Sequence, residues 1–181
     1  SPNPDSRNAS VNSGIWVAGE LVSSAEIPSS GTASMSGAAV VKAAYRYDQS
    51  GFDYGVQKYT TTADVAATFN WGSSGYSGTL AFTNFDASNP IIANAGFASF
   101  SVAITGTDNT YSGSSTDSID NGWTGGASVQ GALYGDCTVN ESGGKVNVSL
   151  SKSGSPGSAG ANDFYVAEGI YLVDCTSGTC Q

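Results

Sequence analysis

No histidine occurs anywhere in the 181 residues. Its absence removes Ser-His-Asp and Cys-His nucleophilic systems, His-containing zinc sites and His-ligated haem together. Charge is scarce as well, at 12% of residues, and basic charge especially so, with 6 Lys and Arg against 15 Asp and Glu. A net charge of −9 repels phosphate backbones and argues against nucleic-acid partners. There is no run of about 18 apolar residues, the length a membrane-spanning helix requires. Leucine is sparse, and no G-x-S-x-G elbow, phosphate-cradling loop or dinucleotide fingerprint is present.

Small and β-branched residues take the place of what is missing. Glycine alone numbers 24, and Ser, Thr, Ala and Asn fill much of the rest, a mixture that disfavours long helices. The opening "SPNPDSRNAS" has no Met and no apolar signal region. The reading is a mature extracytoplasmic chain, secreted or at the cell surface, whose targeting segment has been removed. Cys137, Cys175 and Cys180 form an odd set, so one disulfide and one further thiol are expected. Cys175–Cys180 closes a short loop, and Cys137–Cys175 is the alternative.

Carboxylates leave paired-acid glycoside hydrolysis as the enzyme class to weigh. Asp48 with Asp53, Asp117 with Asp120, and Asp163 with Glu168 are the candidate pairs. Each is more simply explained by turn chemistry, because Asp caps turns through its own backbone. No enzyme activity is expected, and no metal-binding pattern is met.

Residues 1–36 read as an N-terminal segment with one early strand, "GIWVAGELV" at 14–22, and a Pro/Ser linker. From Gly37 a period-two pattern repeats through "AAVVKAAYRY" (38–47), "FDYGVQKY" (52–59), "ADVAATFNW" (63–71) and "SGTLAFTNF" (77–85). It continues in "FASFSVAITG" (97–106), an edge piece "YSGSSTD" (111–117), "GASVQGALYG" (126–135), "GKVNVSLSK" (144–152) and "DFYVAEGIYLVD" (163–174). Val65, Ala67, Phe69, Trp71, Leu80, Phe82, Phe100, Val102, Ile104, Val129, Leu133, Val146, Val148 and Leu150 fall on the inward face. Eight to ten short antiparallel strands joined by Gly/Ser/Asn turns must stack as a sandwich or close as a barrel, and small inward residues such as Ala67 and Gly131 suit a tapered barrel. The fold class is therefore all-β, an antiparallel barrel over 37–174. A small N-terminal appendage precedes it, and a tail at 175–181 carries the Cys175–Cys180 pair.

The ordered stretches "GAAVVKAAY", "TADVAATFNWGSSGYSGTL", "FSVAITGTDNTYSG", "VQGALYGD", "ESGGKVNVSL" and "AEGIYL" resemble the transferrin-binding protein B family of bacterial surface and secreted proteins. Factor H-binding protein and the haemophilins belong to the same wider group. The resemblance covers about residues 37–173 and implies an eight-stranded up-and-down barrel. It also implies a role in recognising a host protein or a nutrient ligand of the haem and iron acquisition type, with a cognate outer-membrane receptor as a further partner. The chain departs from the family pattern at Ala132 and Leu133 and by Cys137 in the following turn. Without histidine, a haem ligand would have to be Tyr or Met, and Met35 is the only methionine.

Binding on such a scaffold belongs to rim loops. The aromatic stretch Tyr45, Tyr47, Phe52 and Tyr54 is the first candidate patch, and Trp123 in "DNGWTGG" the second, the latter because a Trp in a Gly-rich loop is poorly explained by core packing. A carbohydrate-active β-sandwich, acting as sugar-binding module or carboxylate glycosidase, and a structural surface protein are the competing readings.

Overall fold

The computed structural model describes residues 17–48, 54–84, 99–115, 123–136, 138–153 and 162–180. Eight strands follow in order: β1 (Gly31–Asp48), β2 (Tyr54–Gly72), β3 (Gly75–Thr83), β4 (Phe100–Gly106), β5 (Thr110–Ser115), β6 (Trp123–Tyr134), β7 (Glu141–Ser153) and β8 (Asn162–Gly178). Each pairs antiparallel with its sequence neighbours, and β1 pairs with β8, so the sheet closes as an up-and-down barrel. Closure leaves no open edge, which is how small antiparallel sheets avoid edge-to-edge association.

Period-two patterning explains the packing. All fourteen residues expected to face inward are buried. Eight strands enclose an interior just wide enough for side chains to fill, and here aromatic rings fill much of it. Phe69 stacks on Trp71 with centroids 5.2 Å apart and meets Tyr111 and Tyr76 at steep angles. Phe82 stacks on Phe100 at 4.8 Å and receives the edge of Tyr171. Such tilted and offset pairs add to the gain from area burial alone. Outward positions carry Lys42, Lys58, Asp64, Asn70, Gln130, Lys145 and Asn147, all exposed.

Several boundaries differ from the sequence reading. β1 begins at Gly31, inside the expected linker, because Ala33 and Met35 continue the inward alternation among small polar residues. From Tyr54 on, the expected stretches 52–59 and 63–71 are parts of one strand, β2, since the Thr60–Thr62 run between them is β-branched and unbroken by Gly or Pro. The piece expected at 111–117 is, over its described residues, no edge: β5 pairs with β4 on one side and β6 on the other. The expected early strand is, among its described residues, a strap with one bridge, Leu21 to Tyr134. β6 already pairs on both sides, so no edge remains for the strap to extend. A 3-10 turn, Ser24–Glu26, follows.

The strap closes one barrel end. Val22 is buried beside Leu133 and Val139, Gly135 N–H donates to Glu20 C=O at 3.0 Å, and Asn109 Nδ2 donates to Val22 C=O at 3.1 Å. The C-terminal segment joins it. β8 runs through Cys175 to Gly178, so the expected tail is largely strand, held by the early residues of β1 (Ala33 opposite Gly178). Cys175 is bonded to Cys180, the first of the two expected pairings, and this excludes Cys137–Cys175. Cys137 itself lies outside the described residues. Trp71 Nε1 donates to Thr179 C=O at 2.7 Å, tying this segment to the aromatic stack.

A bridge over so short a loop contributes about 2 kcal/mol in the chain-entropy view. Cys180→Ser should lower the unfolding free energy by about that amount, while Phe69→Ala, which empties the stack, should cost about 3–5 kcal/mol. Urea unfolding followed by circular dichroism checks both.

Candidate functional site

The seven connections of the barrel divide unequally between its ends. At the end closed by the strap, two residues join β2 to β3, three join β4 to β5, and six join β6 to β7. At the other end, five residues separate β1 from β2, sixteen separate β3 from β4, seven separate β5 from β6, and eight separate β7 from β8. The longer connections therefore gather at one rim, opposite the strap. Most of their residues lie outside the described ones, and the strand ends beneath them are described.

Those strand ends hold a cluster of aromatic and acidic side chains. Tyr45 near the end of β1, Trp123 at the start of β6, and Asp163 and Tyr165 at the start of β8 are all buried. Tyr45 Oη donates to Asp163 Oδ2 at 2.5 Å, and the Tyr45 and Trp123 rings lie 6.0 Å apart. A buried carboxylate needs such a donor, because desolvation without a partner is costly. The Tyr59 and Tyr165 hydroxyls lie together beside this pair. Burial raises the Tyr59 pKa to about 12 and raises Tyr165 as well, the latter helped by Tyr59 itself.

The structure thus brings together two of the sequence-predicted residues, Tyr45 and Trp123, as interior neighbours. The reading of Trp123 as a loop aromatic is corrected: it opens β6 at 0% exposure, because the Gly-rich stretch after it is strand. Tyr47 and Tyr54 face their partners Gly55 and Asp48 across the β1–β2 ladder. Their side chains, and Phe52 altogether, lie outside the described residues. Asp163, which its sequence context assigns to turn chemistry, is instead the buried acceptor of Tyr45. Its inward register, two residues before Tyr165, was the available signal. Asp163 and Glu168 are five apart on one strand, so they face opposite sides of the sheet and cannot flank a common bond. Asp53, Asp117 and Asp120 lie outside the described residues.

A second polar network occupies the strap end. Tyr171 Oη donates to Tyr111 Oη at 2.8 Å, Tyr111 meets Ser142 Oγ at 2.5 Å, and Ser142 donates to Ala132 C=O at 3.2 Å. Tyr76 donates to the carbonyls of Asp108 and Thr110. Gly131 makes this chain possible, because a Cβ there would collide with the Tyr111 ring and the Tyr171 hydroxyl. Burial pushes Tyr111 up to about 12 and raises Tyr76 and Tyr171 too. On the outer wall near this end runs an open groove of about 730 Å³, lined by Thr105, Ser112, Gln130, Tyr134 and Lys145 among others. It lies away from the loop-bearing rim.

Met35 is packed in the core, and Tyr76, Tyr111 and Tyr171 are committed to hydrogen bonds in the interior.

No protein-family model matches the chain, and no curated protein does. Among solved structures the chain is similar to a mutant of the vaccine antigen Transferrin Binding Protein B from Haemophilus parasuis Hp5. The two share 21% identity at a TM-score of 0.35, over 86% of this chain and 29% of that one. The chain spans under a third of that protein's length. The barrel stands on its own strand register and not on this likeness.

Raised tyrosine pKa values set an alkaline limit to stability. Below pH 10, the ordinary tyrosine value, these tyrosines are protonated in the folded and unfolded chain alike. Between pH 10 and about 12 the unfolded chain releases protons that Tyr59 and Tyr111 retain when folded, so stability falls as pH rises. Tyrosinate absorbance and circular dichroism should change together in that window. Titration of the buried tyrosines near pH 10 with the fold intact would contradict their packing.

Proposed function

We propose that the chain is a non-enzymatic recognition module, secreted or displayed on a bacterial surface, that binds a macromolecular partner through the loop-bearing rim. One observation carries the reading: the interior is filled with packed rings, one end is strapped and bridged, and all the longer connections gather at the other. A rigid barrel with variable-length loops at one end is a common way to present a binding surface. The Cys175–Cys180 bridge supports an oxidising, extracytoplasmic setting.

The resemblance drawn from the sequence extends the reading to a host protein or a nutrient ligand. Of the two, a host protein suits a filled barrel better. A haem-type carrier would need a cavity and an axial ligand, and the described interior is closely packed. An outer-membrane receptor is a further partner in this proposal.

Replacing residues 84–99 with a Gly/Ser linker of equal length should abolish capture of an identified host protein while leaving the thermal melt within a few degrees of wild type. Native mass spectrometry of the protein from its producing cells should show no retained haem-sized adduct. Such an adduct, displaced only by unfolding, would overturn the proposal in favour of small-molecule carriage.

A further inference from the structure

The outer wall of the barrel is not uniform. Six large apolar side chains among the described residues stay exposed, and five of them, Val40, Val56, Phe164, Val166 and Leu172, lie on adjacent strands β2, β1 and β8. Each is more than a third exposed, and Val56 reaches 59%. The register places them side by side. Val56 lies opposite Arg46, and Arg46 opposite Phe164. Val40 lies opposite Ile170, and Ala38 opposite Leu172. The column Phe164, Val166, Ile170 and Leu172 runs along β8 with Glu168 as its one acidic interruption. Scattered exposed apolar residues are ordinary, but a contiguous stripe is a recognised mark of an interface.

Charge is sorted onto the same wall. Of the five Lys and Arg among the described residues, Lys42, Arg46, Lys58 and Lys145 point outward here, in a chain whose net charge is −9. Lys58 lies opposite Ala44, Lys42 opposite Glu168, and Lys145 opposite Ile170, so cations border the apolar column on both sides. Asp64, Glu141 and Asp174 bound the patch toward the strap end. Between the lysines the wall is scooped. A groove of about 640 Å³ is lined by Lys42, Ala44, Lys58, Asn147, Val166 and Glu168, with the small side chain of Ala44 giving it depth.

We propose that this β2–β1–β8–β7 wall is a second docking surface, distinct from the rim, for an acidic amphipathic segment of a partner protein. That segment would lay an apolar stripe along β8 with carboxylates on either side, facing Arg46, Lys58 and Lys42 on one flank and Lys145 on the other. A bare polyanion would leave Val56, Phe164 and Val166 without a partner. A flat membrane surface would not fill the groove between Lys42 and Lys58, and among its described residues a second copy brings no matching acidic stripe of apolar residues. From Phe164 to Leu172 the column is about 27 Å long, the length of a helix of about 18 residues.

The test is fluorescence anisotropy with a labelled 18-residue peptide carrying leucines at helical spacing flanked by glutamates. Saturable binding is expected, weakened roughly tenfold or more by Lys42→Glu with Lys58→Glu, and severalfold by Val56→Ser with Val166→Ser. All four positions are solvent-facing, and unchanged thermal melts would confirm that the variants fold. A scrambled peptide of the same composition should bind roughly tenfold more weakly. Absence of saturable binding, equal binding of the scrambled peptide, or indifference to both double variants would overturn the proposal. So would stronger binding of heparin or of phosphatidylglycerol vesicles, or a dimer of this chain lost in the lysine variant. Because the rim is untouched in these variants, failure here leaves the rim reading standing, and the loop replacement leaves this surface intact.

Discussion

The pairing of β1 with β8 is the constraint on which the rest of the molecule depends. These strands and β2 are the longest in the chain, and their ladder runs from Ala33 opposite Gly178 to Arg46 opposite Phe164. Once that seam forms, no strand has a free edge, and the interior has a fixed size that must be filled by the residues facing it. The aromatic side chains follow from this. Phe69, Trp71, Tyr76, Phe82, Phe100, Tyr111, Trp123, Tyr165 and Tyr171 are bulky enough to fill the space, with small residues such as Ala67 and Gly131 leaving room where rings converge. The same seam sets Phe164 and Val166 of β8 next to the cations of β1, so the outer wall acquires its character from the contact that closes the barrel.

Filling a barrel with tyrosines carries a polar cost, since each hydroxyl taken from water needs a partner. For Tyr45, Tyr111 and Tyr171 the fold meets it by linking the hydroxyls into hydrogen-bonded chains. Tyr171, Tyr111 and Ser142 end on a backbone carbonyl at one end, and Tyr45 ends on Asp163 at the other. These chains tie strands far apart in sequence, Tyr45 of β1 to Asp163 of β8 above all, and so support the seam from inside. In the proposed reading, recognition is thereby moved outward, to the rim and the wall.

Much of this was legible in the residues. Alternation of apolar and small polar side chains marked nearly every strand and its inward face, because a barrel with one buried side imposes period two on every strand. What escaped were features set by pairing rather than by local pattern. Gly31 to Ser36 looks like a linker until β8 is seen to lie beside it. Thr60–Thr62 looks like a break until β1 runs past it. Trp123 looked like a loop anchor because glycines surround it, yet Gly125 and Gly126 are strand residues opposite Leu150 and Ser149. At the site, Tyr45 was found for its aromatic neighbours, whereas its partner Asp163 was hidden by distance in sequence. The apolar wall was equally invisible, since its residues come from three strands.

The claim that the interior is closed and filled can be tested most directly through its tryptophans. With Trp16 replaced by Phe, fluorescence comes only from Trp71 and Trp123, both buried. The account predicts blue-shifted emission and little quenching by acrylamide until the chain unfolds. Red-shifted emission that acrylamide quenches readily in the native protein would mean an interior open to solvent, and would return the barrel cavity to consideration as the binding site.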